Sequence, residues 1–263
     1  MEVAILPTPA DCGRVVADVL AATVTGRSAG HRPTLGLATG SSPVLAYREL
    51  IRRHREEGLS FAGVRAFLLD EYVGLPPGHP ESYRAVIRRE LTSSVDFVDS
   101  DVDAPDGSAP DPLVAAREYE ERLRQGGPVA VQLLGIGANG HIGFNEPGSS
   151  LSSVTRVKTL TEQTRRDNAR FFERPEDVPR HVITQGLGTI SRAQHLLLTA
   201  TGARKAAAVA AAVEGPLTAS CPASVLQLHP HATVVVDEAA AAMLERADYY
   251  RYTLQHKLPH QPY

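Results

Sequence analysis

The sequence predicts a doubly wound α/β fold, a mostly parallel sheet with helices on both faces. Short apolar runs alternate with amphipathic segments rich in Ala, Arg and Glu. Alternation of this kind joins parallel strands through crossover helices. No long linker, internal repeat or disordered tract breaks the 263 residues, so one domain spanning 1–263 is expected.

Taken in order, the apolar runs TLGLA (34–38), VRAFLL (64–69), VAVQLL (129–134), HLLLTA (195–200) and ATVVV (232–236) predict strands. Between and after them, residues 43–56, 82–91, 112–125, 162–172, 203–213 and 238–246 carry helical patterns. The turn-rich stretch 99–112 reads as an ordered surface excursion, because helical pattern resumes directly after it.

Composition narrows the function. A net charge of -3 argues against nucleic acid or an anionic membrane as main partner. Cys12 and Cys221 stand alone, which predicts neither a disulfide framework nor a thiolate metal site and fits a reducing compartment. The first residues lack the basic and apolar regions of a signal peptide. No apolar run approaches the roughly 20 residues that span a bilayer. A cytoplasmic protein is expected.

In open parallel sheets, ligands bind beyond the carboxyl ends of the strands. Those ends carry TGSSP (39–43), DEY (70–72), the loop from 135 and TGARK (201–205). Gly40, Ser41 and Ser42 offer backbone and hydroxyl donors, with Pro43 suited to a first helical position. A plain serine N-cap is the alternative. Without a lysine in the Walker position, this is no P-loop. Lys205 lies in the first turn of another predicted helix, where a cation opposes the dipole unless an anion is shared. A phosphate monoester satisfies both features.

The stretch GIGANGHIGFNEPGSS (135–150) contains G-x-G-x-x-G, the glycine pattern of dinucleotide turns. Such a turn needs a helix directly after the third glycine. Here His141 follows, then Pro147 and Gly148 at spacings no helix favours. The glycines are therefore expected to let a tight loop bring His141 and Glu146 to the sheet edge. Asp70 and Glu71 end an apolar run; alone, they read as solvated or turn-capping carboxylates. With His141, Glu146 and a phosphate pocket they match equipment for moving a proton beside a carbonyl. The histidines lack zinc-site spacing, and no metal is expected.

The segments GLATGSSP, LDEYVGLPPGHPESY, GIGANGHIGFNEPGSSLSSVTRVKTLT, NARFF, GARKAAAVAAAVEGP and SVLQLHPHATVVVDEAA resemble the glucosamine-6-phosphate deaminase/isomerase family, over about residues 34–240. The resemblance implies a Rossmann-like sheet and conversion of glucosamine 6-phosphate and water to fructose 6-phosphate and ammonia, without metal or organic cofactor. It implies Asp70 as the base moving a proton from C2 to C1, and His141, coupled to Glu146, as the ring-opening group. It also implies Gly40, Ser41, Ser42, Arg170 and Lys205 as phosphate ligands. Asn139 stands where one branch of the family has aspartate, and its amide oxygen is expected to face the imidazole. Ser149, Ser150, Arg156 and Lys158 match positions that bind the activator N-acetylglucosamine 6-phosphate between subunits of hexameric members. A homo-oligomer, a hexamer by preference, is implied. Two rivals are a 6-phosphogluconolactonase, opposed by IGFNEP and DEYVGL, and a non-catalytic sugar-phosphate sensor, which has no need of Asp70, His141 and Glu146 together.

Overall fold

A computed structural model describes residues 1–26, 32–258, 261 and 263. Its order is β1 (Glu2–Leu6), α1 (Pro9–Thr25), β2 (Thr34–Leu37), α2 (Ser41–Glu57), β3 (Arg65–Leu68), β4 (Asp70–Tyr72), α3 (Tyr83–Glu90), β5 (Val102–Asp103) and α4 (Pro112–Gln125). There follow β6 (Val131–Leu134), β7 (Arg156–Thr159), α5 (Glu162–Asn168), β8 (His181–Thr184) and α6 (Leu187–Ile190). The chain closes with β9 (His195–Ala200), α7 (Ala206–Val213), β10 (Ala232–Asp237) and α8 (Ala247–Gln255).

Seven strands form the main sheet in the order β1-β10-β9-β6-β2-β3-β5, and every neighbouring pair is parallel. All residues of β9 and β10 are buried. Successive side chains point to opposite faces, so both faces are covered, as a parallel sheet requires. On one side α7 and the 3-10 segment Pro222–Leu228 pack over Leu198 and Val234. The expected doubly wound α/β class is what forms.

Several details differ from the sequence reading. Two elements precede residue 34. β1 pairs with β10, and α1 starts with a capping box between Thr8 and Asp11 and buries Val16, Leu20 and Val24. The 99–112 excursion supplies the edge strand β5 beside β3. The helix expected at 238–246 is instead a run of turns before α8. Asp237 takes the Ala240 N–H at 2.8 Å, and Glu214 takes those of Glu245 and Arg246 at 2.7 and 2.9 Å. Backbone donors engaged by carboxylates leave no i→i−4 ladder there. Asp237 also accepts from Gly202 N–H at 2.9 Å, fixing the loop that leads to Lys205.

The largest departure is a second sheet. β4, β8 and β7 pair antiparallel, with Asp70 opposite Thr184 and Thr184 opposite Arg156. DEY, expected only as a strand end, is itself a strand. Ile183 and Val157 face α4 through Ala115 and Ala116. Asp70, Thr184 and Arg156, one residue out of phase with them, share the other face with Tyr72, Val182 and Lys158.

At the opposite end of the main sheet, His195 stacks on His231 with ring centroids 3.7 Å apart, and its Nε2 meets Thr233 Oγ1 at 2.9 Å. Burial foremost, then His231, His229 and Lys257, pushes His195 down to about 4. Below the unfolded pKa near 6.5 the unfolded chain takes up a proton the fold refuses. Stability should therefore be full above about pH 6.5 and fall by up to about 3 kcal/mol as pH drops towards 4. Denaturant melts of the wild type and His195→Gln test this: the variant should lose that part of the slope, and parallel curves would contradict it.

Candidate active site

The carboxyl ends of β2, β6 and β9 lie side by side, because those strands are neighbours in the order β9-β6-β2. Their loops carry Gly40–Ser42 (residues 40–42), His141 with Glu146, and Lys205. Gly40, at φ +119°, is the N-cap of the 17-residue α2, and no side chain caps that helix. The serines are thus not spent on capping, the alternative left open by the sequence. Pro43 is the third helical residue rather than the first, so the free N–H groups of Ser41 and Ser42 precede it. Helix N-termini of this kind favour anions.

Lys205 closes a 3-10 turn (Ala203–Lys205) and donates from Nζ to Ile136 O at 2.6 Å. Burial first, then Arg204 and Arg170, pushes its pKa down, with Asp167 opposing. Arg170 is thus close enough to repel it. Arg170 sits on a 3-10 turn (Ala169–Phe171) continuing α5, so the helix expected through residue 172 changes type at Asn168. An anion between Arg170 and Lys205 relieves their repulsion.

The two carboxylates of DEY divide their labour. Glu71 accepts backbone N–H bonds from Tyr72, Tyr83 and Arg84 at 2.8, 3.0 and 3.1 Å. It caps the start of α3, a structural use that its place in sequence does not reveal. Asp70 is buried, and no hydrogen bond to its carboxylate is found among the described residues. Burial, with the Glu71 charge second, pushes Asp70 up to about 8. A carboxylate so placed holds a proton tightly when it takes one up.

Over it runs the glycine loop. Gly143, at φ +55°, passes so near that a Cβ there would lie 3.7 Å from Asp70 Oδ2. Gly137 answers why the loop needs glycines that bind no nucleotide: a Cβ on it would lie 2.3 Å from the His141 ring. His141 Nδ1 stands 3.6 Å from Glu146 Oε2, an ion-pair distance longer than a hydrogen bond. Burial pushes Glu146 up, but His141, Thr164 and Asn139 outweigh it and hold its carboxyl down at about 2.

Asn139 does not face the imidazole, contrary to expectation. Its Nδ2 donates to Glu146 Oε2 at 2.7 Å, while its Oδ1 accepts from the His141 backbone N–H at 3.2 Å. A carboxylate only accepts and an N–H only donates, so both partners fix this orientation. Residue 139 acts on Glu146, not on the ring. The sequence reading also missed Thr164, whose hydroxyl donates to Glu146 Oε1. Its one visible signal is the Thr161-x-x-Thr164 spacing of an N-cap, with Thr164 N–H bonded to Thr161 Oγ1 at 3.1 Å.

The four residues of the implied activator site lie on the stretch after the glycine loop and on β7. Ser149 is buried and its Oγ lacks a hydrogen-bond partner among the described residues. Ser150 Oγ lies 3.1 Å from Ser152 Oγ. Arg156 and Lys158 project on the same face of β7, as their spacing predicts, and burial pushes the Arg156 pKa down.

These features gather an uncapped helix start, a lysine, an imidazole and two buried carboxylates at the strand ends of an α/β sheet. The profile described as glucosamine-6-phosphate isomerases/6-phosphogluconolactonase matches residues 7–236. The glucosamine-6-phosphate deaminase of Corynebacterium aurimucosum is 60% identical over 98% of this chain and 100% of its own. That of Rhodococcus opacus is 59% identical over 98% of each. A solved monomeric glucosamine-6-phosphate deaminase superposes with a TM-score of 0.89 at 40% identity, covering 92% of this chain and 100% of that one. The 6-phosphogluconolactonase from Trypanosoma cruzi shares the fold at a TM-score of 0.71 and 20% identity, covering 93% and 97%. The chain belongs to the glucosamine-6-phosphate isomerase/6-phosphogluconolactonase family.

Two substitutions test this geometry. Gly137→Ala should keep the melting temperature within a few degrees yet lower kcat by about 10²-fold, since displacing a reacting group by about 1 Å costs that much; an unchanged kcat would show that the ring is free to move aside. Asn139→Asp places a second carboxylate where the amide meets Glu146, and two like charges there resist joint ionisation. Carbon NMR of Glu146 should show it titrating higher in the variant, and an unmoved titration would break the assigned contact.

Proposed function

We propose that the chain is an isomerising glucosamine-6-phosphate deaminase, turning glucosamine 6-phosphate and water into fructose 6-phosphate and ammonia. The observation that carries this reading is the pairing of a buried, unbonded Asp70 with the His141–Glu146 pair across Gly143. The close likeness to deaminases supports it.

The chemistry follows from that geometry. Gly40, Ser41, Ser42, Arg170 and Lys205 hold the phosphate. His141 takes the proton of the C1 hydroxyl and returns one to the ring oxygen, opening the pyranose; Glu146 steadies the imidazolium formed between. Only the open aldehyde makes the C2 proton acidic. Asp70 removes that proton while the C2 ammonium gives one of its own to the C1 oxygen, leaving a 2-amino enol, and Asp70 then delivers its proton to C1. The nitrogen becomes an imine at C2, water adds there, and the C–N bond breaks to release ammonia. The net cleavage of a C–N bond by water makes the enzyme a hydrolase. The substrate's C2 ammonium also explains how a carboxylate with so high a pKa works as a base: an adjacent cation favours its ionised form. No step requires a metal or organic cofactor. We place the enzyme in the cytoplasm, where phosphorylated sugars are formed and consumed, and take residues 1–263 as one functional unit.

We further propose a homo-oligomer, a hexamer by preference, with Ser149, Ser150, Arg156 and Lys158 receiving the phosphate of N-acetylglucosamine 6-phosphate. The support is local. Arg156 is half-buried and its one hydrogen bond among the described residues is to Val154 O at 3.3 Å. It also shares a sheet face with Asp70, one strand away across Thr184.

Release of ammonia from glucosamine 6-phosphate, undiminished by a chelator, tests the reaction. Asp70→Asn should still bind substrate but lose C2–H exchange with solvent and fall about 10²–10⁴-fold in turnover. Near-normal turnover would remove Asp70 from the mechanism.

A further inference from the structure

The Asp70 carboxylate takes no hydrogen bond among the described residues, although donors stand around it. Opposite it in the second sheet is Thr184, which is fully buried. Gln185 N–H bonds Leu69 O at 2.8 Å and Val73 N–H bonds His181 O at 3.0 Å. Asp70 and Thr184 therefore form one of the intervening pairs without backbone bonds, where facing side chains come closest. The glycine loop descends on the same spot. A Cβ on Gly143 would lie 3.0 Å from Thr184 Oγ1, 3.5 Å from Asn145 Nδ2 and 3.7 Å from Asp70 Oδ2.

Each of these donors is spent elsewhere. Phe144 N–H, next along the loop, donates to Thr184 Oγ1 at 3.1 Å. The Thr184 hydroxyl donates to Gln185 O at 3.3 Å. Asn145 Nδ2 gives its two hydrogens to Ile142 O at 3.0 Å and Gln185 O at 2.8 Å. A hydroxyl has one hydrogen to give and an amide nitrogen two, so nothing is left for the carboxylate. Backbone N–H bonds favour the ionised form of a carboxylate. Glu71, one residue on, takes three of them and Asp70 takes none.

We propose that Thr184 is a positioning residue for the base: its hydroxyl occupies the Phe144 N–H and the Gln185 carbonyl, and so keeps two neighbouring donors off the Asp70 carboxylate. The loop is thereby held over Asp70 without bonding to it, and Asp70 stays a strong base. The kinetic consequence rests on the reading of Asp70 as the base that takes the C2 proton. Burial foremost pushes the phenols of Tyr72, Tyr83 and Tyr119 up, and Glu146 is held at about 2, so these neighbours do not titrate with Asp70. Glu71 on its own strand, His141 on the loop and Arg156 on β7 complete the charged surroundings among the described residues. A substitution at 184 leaves all of them in place.

The test titrates the Asp70 carboxyl by carbon NMR in the wild type, Thr184→Val and Thr184→Ser. Val keeps the branched shape but frees the Phe144 N–H beside Asp70; Ser keeps the oxygen. One backbone N–H turned to the carboxylate should lower the proton affinity of Asp70 about tenfold or more in Val. Ser should recover most of that change. In Val the limb of the kcat profile belonging to Asp70 should move to lower pH, and kcat on its plateau should fall by up to about 10-fold, with KM changed less. A threonine that merely packs would cost stability without moving the titration. A Val variant that titrates with the wild type, or above it, overturns the proposal. If Val does not fold, the wild type decides: the Phe144 amide proton should stay near its place as Asp70 ionises. A large downfield movement would show that N–H already bonded to the carboxylate, and overturns the proposal equally. The titrations need no turnover, so absence of ammonia release would sink the deaminase reading without deciding this contact.

Discussion

Leu69 bridges the two sheets from the bend between β3 and β4, and the site is built on that junction. Its N–H bonds Leu37 O at 3.3 Å in the main sheet, and its carbonyl accepts from Gln185 N–H at 2.8 Å beyond β8. The chain therefore cannot continue β3 in its own direction; it turns and starts β4 at the next residue. Gln185 reinforces the junction through Nε2 to Leu68 O at 3.1 Å, and Tyr119 Oη binds the same carbonyl at 2.6 Å. The Gln185 carbonyl in turn takes Asn145 Nδ2 at 2.8 Å, which ties the glycine loop to the same point. One junction thus sets where Asp70 emerges and how the loop bearing His141 and Glu146 lies above it.

The consequence is a division between two adjacent acids. In a strand, neighbours point to opposite faces. Glu71 faces α3 and is satisfied by three backbone N–H groups, which hold it in a structural role even though burial raises its pKa. Asp70 faces the site, where Tyr72 and Val182 supply apolar neighbours on the same sheet face. Its high proton affinity is a property of location, produced by burial without donors. Glu146 shows the inverse case: it is also buried, but three polar partners keep it ionised. The proton affinities of two nearby buried carboxylates are thus pushed in opposite directions.

Most of the main sheet was legible because its strands are continuous apolar runs and its helices carry their own signals, such as Asp111 before Pro112 and Gly58 after α2. The lack of a dinucleotide-type turn and helix after residue 140 was legible for a similar reason: Pro147 and Gly148 forbid the helix that such a turn needs. The second sheet was not. Asp70–Tyr72 is three residues long, and Arg156–Thr159 carries Arg156 and Lys158 on one face and no buried residue. Neither shows the apolar signature of a core strand. Asn139 was placed beside the correct residue but assigned the wrong atom, because sequence spacing cannot tell a backbone N–H from the ring it carries. Thr164, 18 positions from Glu146, had only its local capping role to announce it.

The central claim is that burial without donors, created where the chain changes sheets, makes Asp70 the proton carrier while Glu71 is structural. Titration of the Asp70 carboxyl by carbon NMR in the substrate-free protein tests this directly. The account predicts an apparent pKa of about 8, several units above an ordinary aspartate. A value near 4 would mean that Asp70 is solvated or hydrogen-bonded in solution, and would contradict it.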